Sequence, residues 1–161
     1  MFDKFGNLNS VQEINELAEN LRKEGDTKSL YIFARENGID DEITEIFLSG
    51  DMPQLADEVT AAIGKIDIEE AELKPQEIMA DWVEYLKARC FESEEMAIAV
   101  RKTDKSLKGM IGAMLSWSFK HQIPVEKDIL KAAGVNAGRV TLGIPGMAQA
   151  KKIMSEYYLG K

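Results

Sequence analysis

One cysteine, Cys90, and one histidine, His121, are all that 161 residues offer of the softer metal ligands. A lone cysteine excludes an intramolecular disulfide framework and any multi-cysteine zinc site, and it suits a reducing compartment. A lone histidine excludes a histidine metal cluster and a multi-histidine relay. Four prolines and twelve glycines are too few for a disordered or low-complexity chain, and no internal repeat is visible. No segment runs for about 18 uninterrupted apolar residues. The opening MFDKFGNLNS has neither the basic nor the apolar region of a secretory leader, so the expected location is cytoplasmic, with no membrane partner.

What is present is a core and a strong charge asymmetry. With 45% hydrophobic and 30% charged residues, the chain can bury a core without staples. Net charge is −8, yet residues 1–95 hold 24 acids and 9 bases, net −15, while residues 96–161 hold 4 acids and 11 bases, net +7. An acidic half of this size is repelled by a nucleic-acid duplex and attracted to a basic groove built for one.

Hydrophobic spacing predicts helices throughout. Ser10 and Glu13 form a capping box before Val11, Ile14, Leu17, Ala18 and Leu21. Residues 28–37 form a second helix, ended by left-handed conformations at Asn37 and Gly38. Asp40 caps a third, with Ile43, Ile46 and Phe47 facing inward until Gly50. Pro53 is the expected first residue of a fourth. The polar run 66–74 reads as a link, and Pro75 opens a longer helix along Trp82, Val83, Leu86 and Cys90. Ser93 caps the next helix, through Arg101, and Asp104 another that reaches Phe119. Gly109 and Gly112 in it mark a close helix crossing. A short helix follows Pro124, then the loop GVNAGRVTLGIPG, where Arg139 to Leu142 is at most a brief extended segment. The last helix runs from Met147 to Tyr158, with Ala150, Ile153, Met154 and Tyr157 inside. The expected fold is all-α, a compact bundle of eight or nine short helices in a single domain, with any lobe boundary at 66–75.

Catalytic and cofactor motifs fail one by one. The acidic stretch ENGIDDEITEIFLSGD, residues 36–51, has isoleucines where an EF-hand needs ligands. KTDKSLKG, residues 102–109, lacks the leading glycine of a phosphate loop, and GRVTLGIPG follows no clear strand. Cys90 lies on an apolar face without a histidine beside it, and His121 answers the negative end of a helix. No catalytic residue, metal ligand or cofactor is assigned, and an enzyme is not expected.

Two charged surfaces remain. The acidic one comprises Asp40, Asp41, Glu42 and Glu45, extended by Asp57, Glu58, Glu69 and Glu70, with Glu13, Glu16 and Glu72 as further members. Carboxylates one turn apart on neighbouring helices either simply cap and solvate those helices or imitate a row of phosphates. The basic surface is Arg101, Lys102, Lys105 and Lys108, read either as a solvated helix start or as a contact for nucleic acid or an acidic partner.

The strings MFDKFGNLNSVQEINELAENLRKEGD, ARENGIDDEITEIFLSGD, DEVTAAIGK, EEMAIAVRK with KSLKG, and LGIP with EYYLG resemble a family of small acidic accessory proteins of bacterial mobile genetic elements. The resemblance spans nearly the whole chain and transfers no functional residue. It implies an accessory role, one form of which is the anti-CRISPR protein that occupies the DNA channel of an RNA-guided nuclease. The expected function is thus non-enzymatic inhibition of a host nucleic-acid enzyme, most specifically such a nuclease, through the acidic N-terminal surface. The alternatives are a DNA- or RNA-binding regulator that uses the basic C-terminal third and a structural homo-oligomer subunit. Direct nucleic-acid binding stays open at this stage, as does the choice between monomer and homodimer.

Overall fold

The computed structural model of the protein describes residues 3–161. These fold as an all-α chain with nine α-helices and one ladder of two short strands. The chain divides into two compact units, residues 1–108 and residues 109–161. The boundary expected at 66–75 is not where the chain divides. Residues 66–73 belong to a helix, and their polarity has a local cause given below.

Unit 1 begins with α1 (Val11–Lys23), capped as expected: the Glu13 amide donates to Ser10 Oγ at 3.2 Å, and Glu13 Oε2 accepts from the Asn9 amide at 2.7 Å. α2 (Thr27–Glu36) starts from Asp26, whose carboxylate accepts from the Ser29 amide. α3 (Asp41–Ser49) ends at Gly50 in a left-handed conformation. Asp40 stands at its N-cap position but makes no side-chain capping bond. Its inward face is Phe47 and, in part, Ile43, whereas Ile46, expected inside, is 44% exposed. These three helices close over Ile14, Leu21, Leu30, Phe33, Phe47 and Leu55.

Pro53 starts no helix. It lies in a bend where Asn15 pairs with the backbone of Ala56, Nδ2 donating to the carbonyl at 2.8 Å and Oδ1 accepting from the amide at 3.0 Å. α4 (Glu58–Leu73) starts beyond it, capped by Asp57, whose Oδ1 accepts from the Thr60 amide at 2.7 Å. The next turn holds two left-handed non-glycine residues, Lys74 and Glu77, so α5 (Ile78–Glu92) starts after Pro75 rather than on it. Its buried face is Trp82, Val83, Leu86 and Cys90. Ser93 caps α6 (Glu94–Arg101), accepting from the Met96 amide.

α4 lies against both α5 and α6, and the end of α2 meets α4 at a pair of glycines. A Cβ on Gly64 would stand 2.0 Å from the Asn37 carbonyl oxygen, and one on Gly38 would stand 2.4 Å from the Gly64 oxygen. Gly38 supplies the left-handed turn, at φ 67°, while Asn37 does not, at φ −99°. Asn37 is instead a fully buried polar bracket.

α7 (Leu107–Lys120) carries the chain into unit 2, starting three residues after the expected cap Asp104. There Ile123–Pro124 (β1) pairs antiparallel with Thr141–Leu142 (β2), so the RVTL segment is extended but forms only a two-residue ladder. α8 (Lys127–Ala132) and α9 (Met147–Leu159) complete the unit. Within α9 Ala150, Ile153 and Met154 are buried, and Tyr158 takes the inner place expected of Tyr157. Gly109 does mark a close approach, because a Cβ there would stand 2.0 Å from the Tyr157 hydroxyl. Gly112 has nothing within 4 Å and marks none.

Candidate acidic interaction surface

The residues expected to bind a partner do not form one row. Of the six acids in 36–51, three are engaged by other groups of the chain itself. Glu36 accepts from the Lys4 and Phe5 amides at 2.9 and 3.1 Å. Asp41 takes both ends of the Arg35 guanidinium at 2.8 and 2.6 Å, and that cation holds its carboxyl below the usual range. Asp51 accepts from the Ser49 hydroxyl at 2.7 Å. Asp40, Glu42 and Glu45 remain exposed and, among the described residues, form no ion pair. Glu45 lies beside the Tyr31 hydroxyl, whose ionisation is pushed up by burial and by the Glu45 and Asp41 charges.

The outlying acids divide in the same way. Asp57 is a helix cap, and its bonds to the Thr60 amide and hydroxyl lower its pKa. Glu70 and Asp67 clamp Lys87 of α5 at 2.6 and 2.9 Å. Two charges of the polar run 66–74 thus hold α4 to α5, so its polarity is compatible with a packed helix. Lys87 loses by burial but gains more from these two carboxylates, so its pKa ends above the usual value. Glu69 accepts from the Leu107 amide at 2.7 Å, and burial raises its pKa. Glu58 is half-buried at the rim of an open groove of about 660 Å³ between α1 and the 53–58 segment, which Gln12, Asn15, Glu16 and Glu19 also line. Glu13 is engaged in the α1 capping box.

The basic patch is broken more decisively. Arg101 is 2% exposed and cannot contact nucleic acid. Its Nε donates to the Leu8 carbonyl at 3.0 Å, Nη1 to the Ala61 carbonyl at 3.5 Å, and Nη2 to Asn37 Oδ1 at 2.8 Å. Burial lowers its pKa to about 10, with Glu69 and Glu13 opposing that shift. Lys102 and Lys108 are exposed and Lys105 is half-buried, on a segment whose backbone is turned inward. The Lys65 ammonium, 1% exposed, donates to the carbonyls of Val100, Lys102 and Lys105 at 3.0, 2.6 and 2.7 Å. Glu69 stands 3.9 Å from it. Burial lowers the Lys65 pKa to about 8, against the charge of Glu69.

Sequence reasoning missed two kinds of residue. Lys65 and Arg101 are buried cations satisfied mainly by carbonyl oxygens, which hydrophobic periodicity cannot anticipate. Phe91 at the end of α5 and Ile98 in α6 are apolar yet 70% and 47% exposed, in a stretch of sequence that also holds the exposed acids Glu92, Glu94 and Glu95. Phe91 follows buried Cys90 directly, and that adjacency was the available signal.

No helix among the described residues is long and apolar enough to cross a membrane, and no three His, Cys, Asp or Glu side chains gather as a metal site would need. Cys90 is buried, and burial pushes its thiol up to about 12. The His121 ring is 2.8 Å from the Trp117 carbonyl and stacks flat on the Trp117 indole, which ties it to the end of α7. No protein-family model, curated protein or solved structure matches the chain.

Proposed function

We propose that the chain is a non-enzymatic interaction protein of a mobile element that inhibits a host nucleic-acid enzyme, most specifically an RNA-guided nuclease. The reading rests on one observation: the exposed edge of α3, where Asp40, Glu42 and Glu45 stand unpaired by bases beside the exposed side chain of Ile46. Residues 1–108 hold 25 acids and 13 bases, net −12, so this edge lies in a field that steers the unit toward basic grooves. An apolar side chain among the carboxylates adds short-range affinity that charge alone does not supply. The resemblance to accessory proteins of mobile elements points the same way.

The test is a plasmid-cleavage assay with several RNA-guided nucleases. The protein is expected to suppress cleavage by one of them at near-stoichiometric ratio. The triple variant Asp40→Asn, Glu42→Gln, Glu45→Gln is expected to inhibit less, with the larger deficit at low salt. Full cleavage by every nuclease in the presence of excess protein would dispose of the proposal. With Arg101 in the core, the rival reading of a nucleic-acid contact at 101–108 retains only three lysines and no observation that favours it.

A further inference from the structure

The open groove along α1 continues into a second hollow. Val11, Gln12 and Glu58 line both, and the second is a more closed recess of about 180 Å³ between the start of α1, the start of α4 and α6. Its wall is apolar, made by Val11, Ala61, Ala97 and Ile98, and the two alanines have too little side chain to fill it. Val11, Ala61 and Ala97 are buried, whereas Ile98, at 47%, is the part of the wall that solvent reaches. A cavity of about 150 Å³ takes a benzene ring, so the recess has room for one large apolar side chain. Arg101 lines it too, with its guanidinium engaged as described above, and that charge keeps a lysine or arginine out of the recess itself.

The groove follows α1 from Val11 to Lys23, a length of roughly 18 Å at ~1.5 Å per residue. About six residues of extended chain, at ~3.3 Å each, cover it. Some of its polar groups are already committed. Asn15 holds the Ala56 backbone, and Glu19 answers Arg22 and Lys23 one turn on. Glu16 and Glu58 have no such partner, for neither forms an ion pair among the described residues. Glu94, exposed and one helical turn from Ile98 on α6, is a third unopposed carboxylate beside the recess. An apolar hole flanked by unopposed negative charges is the complement of an apolar side chain flanked by positive ones.

We propose that the groove and its recess dock a basic segment of a protein partner that carries one large apolar side chain. The apolar side chain enters the recess, and lysines or arginines around it meet Glu16, Glu58 and Glu94. An anchor in a desolvated pocket carries most of the affinity of such a contact, while the charges select the partner and speed its arrival. The same carboxylates repel a nucleic acid or an acidic segment. The inference is independent of the nuclease reading and uses none of the α3 edge.

Fluorescence anisotropy with the full chain tests it, the probe being a labelled lysine-rich peptide of about eight residues with one central leucine. Saturable binding is expected, with a Kd of about 10 to 100 µM. Alanine in place of that leucine is expected to weaken binding about 10- to 100-fold, the worth of burying one large apolar side chain. Ile98→Lys and Gln12→Arg are each expected to weaken it by ~10-fold or more. Both positions are exposed, so unchanged helicity by circular dichroism shows that the fold is kept. Glu16→Gln with Glu58→Gln is expected to bind less at about 0.05 M NaCl and to approach the parent at about 0.5 M. Glu77→Gln with Glu84→Gln makes the same charge change at exposed sites outside the groove and is expected to leave binding as it was. Three results would overturn the proposal. No saturable binding at ~1 mM protein removes the site. Equal affinity for the leucine and alanine peptides means that the recess takes no anchor. A loss from the Glu77 and Glu84 pair as large as that from Glu16 and Glu58 means that the general acidity of the chain, not the groove, attracts the peptide.

Discussion

Replacing Lys65 by Met leaves the length of the side chain nearly intact and removes only the ammonium. Three carbonyls, those of Val100, Lys102 and Lys105, then lose the donor that holds them at 2.6 to 3.0 Å. Each buried acceptor left unsatisfied costs about 1 to 3 kcal/mol. Two of the three bonds are only partly buried, so water recovers some of that cost. The variant also gains, because burial of the charged form is unfavourable: the shift from 10.5 to about 8 corresponds to roughly 3 kcal/mol. Losses and gain together leave a net destabilisation of about 2 to 4 kcal/mol. Urea unfolding followed by far-ultraviolet circular dichroism measures it, with the slope of the transition checked for constancy. A variant as stable as the parent, or more stable, would mean that the carbonyls do not depend on the ammonium, and the reasoning would fail.

Four further outcomes follow from the same geometry. Because the folded-state pKa of Lys65 is below its unfolded value, the cost of burying its charge applies in full below about pH 8 and is relieved as pH rises toward 10.5. The parent is therefore expected to gain stability over that window relative to Lys65→Met, and parallel stability profiles would refute the assignment. Gly64→Ala places a methyl 2.0 Å from the Asn37 oxygen and is expected to cost more than ~3 kcal/mol in thermal or urea unfolding. Gly112→Ala, with open space and a helical backbone, is expected instead to stabilise the fold by about 0.5 to 1 kcal/mol. Cys90, buried and with its thiol pushed up to about 12, is expected to react with a thiol reagent only once the protein unfolds, and prompt reaction of the native chain would contradict its placement.

Much of the fold was legible because local chemistry and tertiary packing agree there. Ser10, Ser93 and Gly50 delimit helices as their residue types suggest, and the stripes from Val11 to Leu21 and from Trp82 to Cys90 are buried. The failures share a physical cause: each depends on a partner distant in sequence. Pro53 looks like a helix start, but Asn15 pins the neighbouring backbone in a bend. The run 66–74 looks like a link, but Asp67 and Glu70 find Lys87. Arg101 looks like the first cation of a binding patch, but its acceptors come from residues 8, 37 and 61. For the candidate site, the three open acids of α3 were legible as a group. Their separation from Glu36, Asp41 and Asp51 was not, because it depends on which donors the folded chain brings near.

Arg101 has a consequence for the order in which the protein is made. The acceptors of its guanidinium are all synthesised earlier, and so is Lys65, whose carbonyl cage is completed only at residue 105. Until residues 100–105 have emerged, Asn37 Oδ1 and the Lys65 ammonium therefore lack the partners that satisfy them once they are buried in the finished unit. A nascent chain halted at about residue 95 exposes both, while one halted far enough beyond residue 107 can close the whole unit before any of unit 2 has folded. Chains truncated before residue 101 are therefore expected to be cut faster in limited proteolysis than chains that extend past residue 107, where the partners of Asn37 and Lys65 are in place.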